Sequence, residues 1–373
     1  MPNRKRILIL SASFGGGHRS AAEALHRYLA AHYRREVEVS VIDFFEEFAP
    51  SLNLLGKFAY SQSVQFFPEL YGTFFDLTNK MPTNPVVHEI AQVGYARASA
   101  FIDVWQPDAV ISTYPVAGGV VSDIKTSRPL VSAMVVTDFG VHRQWLHPAT
   151  DLFFVASREV GEELAAQGIG WEKIVVSGIP IHERFSSQLA RADCRRELAL
   201  EERFTVMLTA AAGMPGDLKE ITKELVALGI QVAAVTGNNN RLRRRLQSVQ
   251  KRTPLAHVFG FVREMNHVMA AADVLVGKAG GLTVSESLAM GLPLVIFNPV
   301  PGQEIYNVDF LVNYGAGLYA RDEDDVVEKV RFLSTHPRRL AQMAENAGML
   351  GKPAAARAVC ERVLAAIRHD DVS

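Results

Sequence analysis

The sequence predicts an α/β protein built from two Rossmann-like domains, and three observations support this fold class. The chain has 373 residues, more than one hydrophobic core usually serves. Short β-branched or leucine-rich runs alternate with amphipathic helical segments throughout, which is typical of parallel sheets covered by helices on both faces. Each half also carries its own glycine-bearing turn between a strand and a helix.

Apolar runs bounded by turn residues define the predicted strands. In the first half they lie at residues 6–10, 37–42, 109–112, 130–136, 152–155 and 174–177. In the second half they lie at residues 205–209, 231–235, 257–260, 274–277 and 294–297. We place the N-terminal domain at residues 1–180 and the C-terminal domain at 181–352, because a strand ends in the turn GIPI at this join. We expect the helix within residues 353–373 to pack back on the N-terminal domain.

Composition and charge argue against several classes of protein. The net charge is −1, so the overall balance does not suggest a nucleic-acid partner. Cys194 and Cys360 are too few and too isolated for a disulfide framework or a zinc site, and they fit a reducing cytosol. The basic start resembles a signal peptide, but its apolar run ends at Leu10, and no stretch approaches the roughly 18 apolar residues that span a bilayer. We therefore expect a cytoplasmic protein whose membrane contact is peripheral.

The segment from residue 44 to residue 84 is rich in aromatic side chains. They are Phe44, Phe45, Phe48, Phe58, Tyr60, Phe66, Phe67, Tyr71, Phe74 and Phe75. One interpretation is a helical insertion whose aromatic side chains face the domain core. The other is an acceptor groove or a membrane-facing patch, since aromatic residues flanked by Lys57 and Lys80 suit an interface. The sequence leaves both open.

The first motif, SASFGGGH, follows the first predicted strand and opens the first helix. Glycines such as Gly16 and Gly17 let the backbone approach a charged ligand closely, and a helix N-terminus supplies free N–H groups. A dinucleotide-binding fingerprint is the rival interpretation, although the third glycine is replaced by Ser20. His18 ends the motif and can accept a proton or hold an anion, unless it only caps the helix.

The second motif, VVTD, ends a predicted strand at Asp138, and His142, Trp145 and His147 follow. Ligands of open α/β sheets bind at the carboxyl ends of strands, so Asp138 is a candidate catalytic group. The alternative is an aspartate that caps the next helix. The spacing of these histidines matches no recognised metal-ligand pattern, so we predict no metal site.

The third motif, GKAGGLTVSE, follows another strand of the second half. Gly280 and Gly281 form the turn, and the N–H groups near Leu282 and Thr283 are predicted to face a diphosphate. Glu286 lies one turn further along, where its carboxylate can accept hydrogen bonds from ribose hydroxyls. The alternative is a capping box between Glu286 and Thr283.

A neighbouring strand ends in PVPGQE, which places two polar side chains, Gln303 and Glu304, beside that turn. They suit sugar hydroxyls, so the two loops together predict a nucleotide-sugar site. The segments around Asn239 and around Phe261 and Val262 also follow strands, where backbone groups can pair with the edge of a base.

Taken together, these motifs resemble the monogalactosyldiacylglycerol synthase and processive diacylglycerol glucosyltransferase family, the lipid-directed relatives of the peptidoglycan N-acetylglucosaminyltransferase. The resemblance covers nearly the whole chain and rests on SASFGGGH, STYPV, VTDF, VSGIPI, GFV, GKAGGLTVSES and PGQE. It implies the GT-B fold, in which two Rossmann-like domains have a cleft between them. It also implies inverting transfer of a hexose from a UDP-sugar to diacylglycerol, without a metal or another cofactor, at the inner face of the cell membrane.

The resemblance also assigns residues to roles. His18 and Asp138 would lie by the acceptor, and one of them would be the catalytic base, while His142 and Trp145 would contact the acceptor. The predicted donor-binding residues are Gly16, Gly17, Asn239, Phe261, Val262, Lys278, Gly280, Gly281, Leu282, Thr283, Glu286, Gln303 and Glu304. The rival functions are a UDP-sugar 2-epimerase and a non-catalytic nucleotide-sugar-binding protein.

Overall fold

A computed structural model describes residues 4–13, 16–50, 72–73, 77–79, 85–209 and 217–370. The chain divides into two compact units. The first comprises Met1–Glu183 together with Lys352–Ser373, and the second comprises Arg184–Gly351.

The first unit is built on a six-stranded parallel sheet in the order β2-β1-β3-β4-β5-β6. Its strands are β1 (Lys5–Ser11), β2 (Val37–Asp43), β3 (Ala109–Ser112), β4 (Val131–Val135), β5 (Leu152–Phe154) and β6 (Ile174–Val175). β3, β4 and β5 are buried along their whole length, as expected for strands that are covered on both faces.

Helices cover both faces of this sheet. They are α1 (Gly16–His32), α2 (Phe44–Glu47), α3 (Pro85–Trp105), α4 (Pro115–Lys125), α5 (Arg158–Ala166) and, from the end of the chain, α14 (Ala355–Asp370). Leu25 of α1 and Val359 of α14 share one core with Ile9 of the sheet. Val120 of α4 shares the core on the opposite face with Leu10.

The second unit has a six-stranded parallel sheet in the order β12-β11-β10-β7-β8-β9. Its strands are β7 (Thr205–Thr209), β8 (Gln231–Val235), β9 (Ala256–Phe259), β10 (Val274–Gly277), β11 (Leu294–Phe297) and β12 (Gly317–Ala320). Counted from β7, this is the strand order of the Rossmann fold. All the predicted strands of both units are present, and the short edge strand β12 was not predicted.

The helices of the second unit follow its strands in alternation. They are α6 (Arg191–Glu197), α7 (Leu218–Ala227), α8 (Asn240–Gln250), α9 (Met265–Ala271), α10 (Gly281–Ala289), α11 (Ile305–Asn313), α12 (Glu323–Thr335) and α13 (Pro337–Leu350). The hydrophobic core includes Leu208 and Val276 from the sheet, and Leu225 and Val330 from α7 and α12.

The aromatic segment is described in part. Phe44, Phe45 and Phe48 are buried in the core of the first unit, which agrees with the core interpretation for these three side chains. The other seven aromatic residues lie outside the described residues. None of the described helices is both long enough and apolar enough to pass through a membrane.

Candidate functional site

Both sheets have a position at which the strand order reverses, and the predicted motifs lie there. In the first unit the chain runs from β1 to β2 on one side and then crosses to β3 on the other side of β1. In the second unit the same reversal separates β7 from β10. Open α/β sheets bind ligands at the carboxyl ends of strands beside such a reversal. SASFGGGH begins at Ser11, the last residue of β1, and GKAGG begins at Gly277, the last residue of β10, so both motifs lie at the expected end of a strand.

The turn after β10 holds a buried lysine. The side chain of Lys278 is only 7% exposed, and its amino group forms no hydrogen bond or ion pair with any residue that the structure describes. Burial lowers the pKa of Lys278, and the negative charge of Glu304 acts in the opposite direction. Burying a lysine side chain is costly unless negative charge or hydrogen bonds compensate its charge, so this position suits an anionic ligand.

Helix α10 begins beside Lys278 without a side-chain cap. Gly280 is the N-cap residue, and the first helical hydrogen bond runs from the N–H of Val284 to the carbonyl of Gly280 at 2.9 Å. The N–H groups of the preceding helical residues therefore remain for a ligand. Since the helix starts at Gly281, Thr283 stands at the third helical position and Glu286 at the sixth. The capping-box alternative, which needs Glu286 at the third position, is therefore wrong.

The loop after β11 packs against this turn. Asn307 is fully buried and donates from Nδ2 to the carbonyl of Ala279 at 2.7 Å. Oε2 of Glu304 accepts a hydrogen bond from the N–H of Val300 at 2.8 Å. Its other oxygen, Oε1, lies 3.6 Å from the position that a Cβ on Gly280 would occupy. The structure thus brings Lys278, Gly280 and Glu304 together.

Glu286 is partly exposed but largely surrounded by protein. Desolvation raises its pKa from 4.5 to about 8, and the positive charge of Arg184 opposes this shift. At neutral pH the carboxyl group is therefore mostly protonated and can donate a hydrogen bond as well as accept one. Such a group suits the hydroxyls of a ribose.

The remaining predicted donor residues are more dispersed. The side chain of Asn239 caps α8 by accepting a hydrogen bond from the N–H of Leu242 at 3.0 Å. Phe261 is 69% exposed in the turn after β9. Gly16 and Gly17 belong to the first unit, where a Cβ on either glycine would meet no described atom within 4 Å. The others, Val262, Leu282, Thr283 and Gln303, are partly exposed in the second unit.

His18 lies at the start of α1 in a buried polar cluster of the first unit. Its Nδ1 is 2.9 Å from Oγ1 of Thr137, and its carbonyl accepts a hydrogen bond from Oγ1 of Thr113 at 3.0 Å. The ring lies edge-on to Tyr114 with centroids 5.1 Å apart, and 6.1 Å from the ring of Trp145. Burial lowers the pKa of His18 to about 4, so the imidazole is neutral at physiological pH and can accept a proton.

Asp138 follows Thr137, the hydrogen-bonding partner of His18, and is buried like it. His142 uses both ring nitrogens within the protein. Its Nδ1 accepts from the N–H of Gln144 at 3.1 Å, so its Nε2 carries the proton and donates to Oγ1 of Thr78 at 3.2 Å. Trp145 is buried. The proposed acceptor contacts of His142 and Trp145 therefore stay predictions.

Sequence reasoning missed several residues of these clusters. Thr137 and Tyr114 surround His18, and Asn307 holds the turn beside Lys278. Thr137 could have been suspected because it precedes Asp138 at the end of a strand. Tyr114 lies in the STYPV motif, to which no role was assigned, and the contact of Asn307 with Ala279 joins two separate loops, which no local pattern predicts.

Several solved structures share this fold. MurG from Acinetobacter baumannii matches with a TM-score of 0.65 and 16% identity, over 97% of this chain and 99% of that one. MnaA from S. aureus, solved with UDP, has a TM-score of 0.64 and 15% identity, over 95% and 94%. The UDP-GlcNAc 2-epimerase from Neisseria meningitidis, bound to UDP-GlcNAc, has a TM-score of 0.62 and 12% identity, over 96% and 99%. At these identities the likeness shows the fold alone, and it confirms the predicted GT-B class of two Rossmann-like domains.

Sequence comparison identifies the family. Residues 18–181 match the model for monogalactosyldiacylglycerol (MGDG) synthase, and residues 209–359 match the C-terminal domain of glycosyltransferase family 28. The processive diacylglycerol beta-glucosyltransferase of Bacillus cytotoxicus is 30% identical over 370 residues, which covers 98% of this chain and 94% of the relative. The enzyme of the same name from Bacillus mycoides is 29% identical over 371 residues, which covers 98% and 95%. The chain therefore belongs to the monogalactosyldiacylglycerol synthase and processive diacylglycerol glucosyltransferase family.

Proposed function

We propose that this protein is an inverting glycosyltransferase that moves a hexose from a UDP-sugar to diacylglycerol or a similar lipid. It would act from the cytoplasm, as a peripheral protein at the inner face of the cell membrane. The observation that carries the proposal is the largely buried side chain of Lys278 beside the uncapped start of α10. The relatives named as diacylglycerol glucosyltransferases support the choice of acceptor.

The second unit would bind the donor. Lys278 and the N–H groups at the start of α10 would hold the diphosphate, because a helix N-terminus and a buried cation both favour negative charge. Glu286 would contact the ribose, and Gln303 and Glu304 the hexose. As the sugar departs, negative charge grows on the diphosphate, and donors that are already oriented towards it lower the barrier. Because Lys278 and the helix supply this positive charge, the proposed mechanism includes no metal.

The first unit would supply the base for the acceptor. His18 or Asp138 would take the proton from the lipid hydroxyl as its oxygen attacks the anomeric carbon. The bond between that carbon and the diphosphate oxygen breaks in the same displacement, UDP leaves, and the configuration inverts. The imidazole of His18 is neutral at physiological pH and therefore has a lone pair for the proton, and the low pKa that burial gives it makes it a weaker base than a free imidazole.

The proposal is tested with the purified protein and liposomes that contain diacylglycerol. The liposomes are incubated with UDP-glucose, UDP-galactose or UDP-N-acetylglucosamine, and the lipids are then identified by mass spectrometry. We expect a glycosylated diacylglycerol with at least one donor and UDP release that depends on the lipid. If no glycolipid forms with any donor, the proposed activity is wrong. If a UDP-sugar is converted equally well without lipid, the epimerase alternative is favoured.

A further inference from the structure

A carboxylate lies beside the expected binding place of the diphosphate, on the side that the proposed function assigns to the hexose. Oε1 of Glu304 is 3.6 Å from the position of a Cβ on Gly280, the N-cap residue of α10, and its charge acts on Lys278. Helix starts and buried lysines attract anions, so a fixed negative charge at this point opposes the attraction. A negative charge beside a site for an anionic ligand weakens binding, which raises the question of what function the Glu304 carboxylate serves there.

The position of the carboxylate is fixed by its own loop. The N–H of Glu304 donates to the carbonyl of Val300 at 3.1 Å, and the N–H of Val300 donates to Oε2 of Glu304 at 2.8 Å. Asn307, in the first turn of α11, donates to the carbonyl of Ala279 at 2.7 Å and so ties the end of this loop to the turn after β10. Because these bonds hold the loop on the turn after β10, the charge of Glu304 stays beside the anion site when a ligand arrives.

Substrate and product differ in charge at this site. In a UDP-hexose both phosphates are esterified, so the diphosphate carries two negative charges. In UDP the terminal phosphate is free, and its second ionisation, with a pKa of about 6, adds a third charge above neutral pH. The extra charge lies on the phosphate that was bonded to the sugar, so it faces the side of the site that the hexose occupied.

We propose that the Glu304 carboxylate discriminates against UDP in favour of UDP-hexose, and so promotes release of the product after transfer. This inference rests on the proposed donor site. Lys278 and the start of α10 bind the two charges that substrate and product share. Glu304 repels the third, which only the product carries.

The test uses a variant that removes the charge and keeps the loop. In Glu304→Gln the amide oxygen can still accept the hydrogen bond from Val300, so the loop stays closed while the carboxylate charge is lost. Glu304→Ala removes both the charge and the hydrogen bond from Val300, so it shows the effect of losing that hydrogen bond. Glu328→Gln, on an exposed face of α12, is the matched control for loss of a surface charge in the same unit.

Dissociation constants for UDP and UDP-glucose are measured by calorimetry without lipid, at mildly alkaline pH. We expect the ratio of the UDP constant to the UDP-glucose constant to fall roughly tenfold in Glu304→Gln, since one nearby charge pair changes binding by about that factor at a partly solvated site. The ratio should not change in Glu328→Gln. UDP should also inhibit glycolipid formation more strongly in Glu304→Gln than in the wild-type protein.

The outcomes separate this inference from the proposed function. If Glu304→Gln leaves the ratio unchanged while both ligands bind the wild-type protein, Glu304 does not discriminate and only this inference is wrong. If only Glu304→Ala changes the ratio, the hydrogen bond between Val300 and Glu304 matters and the charge does not. That result also overturns the inference. If the wild-type protein binds neither ligand, the proposed donor site itself is wrong.

Discussion

The two polar clusters of the molecule follow the same strand–turn–helix plan but differ in charge. Thr137 and Tyr114, which contact the ring of His18, carry no charge, and burial lowers the pKa of the imidazole to about 4. The carboxyl group of Asp138, which follows Thr137, is the one acidic group that the assignment of this site includes. Around the start of α10 a buried lysine and a carboxylate lie beside a helix N-terminus. Neutral groups suit an uncharged hydroxyl acceptor, and the charged cluster suits an anionic donor. The same fold element thus acquires different chemistry from the side chains that surround its turn.

The largest expected effect is on the cluster around His18. His18→Ala should lower the rate of glycolipid formation by about 10²–10⁴-fold if His18 is the base. It should leave the affinity for UDP, measured by calorimetry, close to that of the wild-type protein. Asp138→Asn tests the other candidate base in the same assays. If both variants keep nearly full turnover, neither residue is the base and the assigned role of this cluster is wrong.

The second prediction concerns Lys278, in the charged cluster at the start of α10. Lys278→Met keeps the apolar stem in its buried site and removes the charge. It should weaken UDP binding and lower the transfer rate by about 10²–10³-fold, as removal of a transition-state donor does in other enzymes. Lys251→Met, at an exposed position after α8, is the control and should change neither quantity. If Lys278→Met binds UDP as tightly as the wild-type protein, the charge of Lys278 does not bind the donor, and the proposed contrast in charge between the two clusters has no functional meaning.

A packing constraint under the charged cluster gives the third prediction. A Cβ on Gly277 would lie 2.2 Å from Oγ1 of Thr209, so Gly277→Ala should destabilise the protein by about 1–3 kcal/mol. Thr209→Ala removes the clashing oxygen, and the double variant should recover most of that loss. Denaturant unfolding of the four proteins measures the coupling. If the decreases in the free energy of unfolding of the two single variants add up in the double variant, the clash with Thr209 is not the cause of the destabilisation.

The strands were more predictable than the contacts of the site. The predicted strands are apolar runs between turn residues, and burial on both faces makes that signal strong. β12 escaped prediction because it is a short edge strand in which Tyr319 is 44% exposed, so it lacks a continuous apolar run. The turn after β10 lies where the sequence predicts it, although Gly281, which was predicted to belong to the turn, is the first residue of α10. The contact of Glu304 with Gly280 depends on how two loops meet in space, which no local pattern encodes.

The smallest expected effect concerns the pH dependence of stability. The pKa of Glu286 is raised from 4.5 to about 8 in the folded protein by desolvation. Between these values the unfolded chain has released the proton and the folded chain has kept it, so ionisation favours unfolding and stability falls as pH rises. Glu286→Gln removes this contribution because an amide does not titrate. The stability of the wild-type protein relative to Glu286→Gln should therefore decline from about pH 5 to about pH 8 and level off above it. Parallel curves, measured by denaturant unfolding across this range, would mean that Glu286 is ionised in the folded protein and accepts hydrogen bonds only.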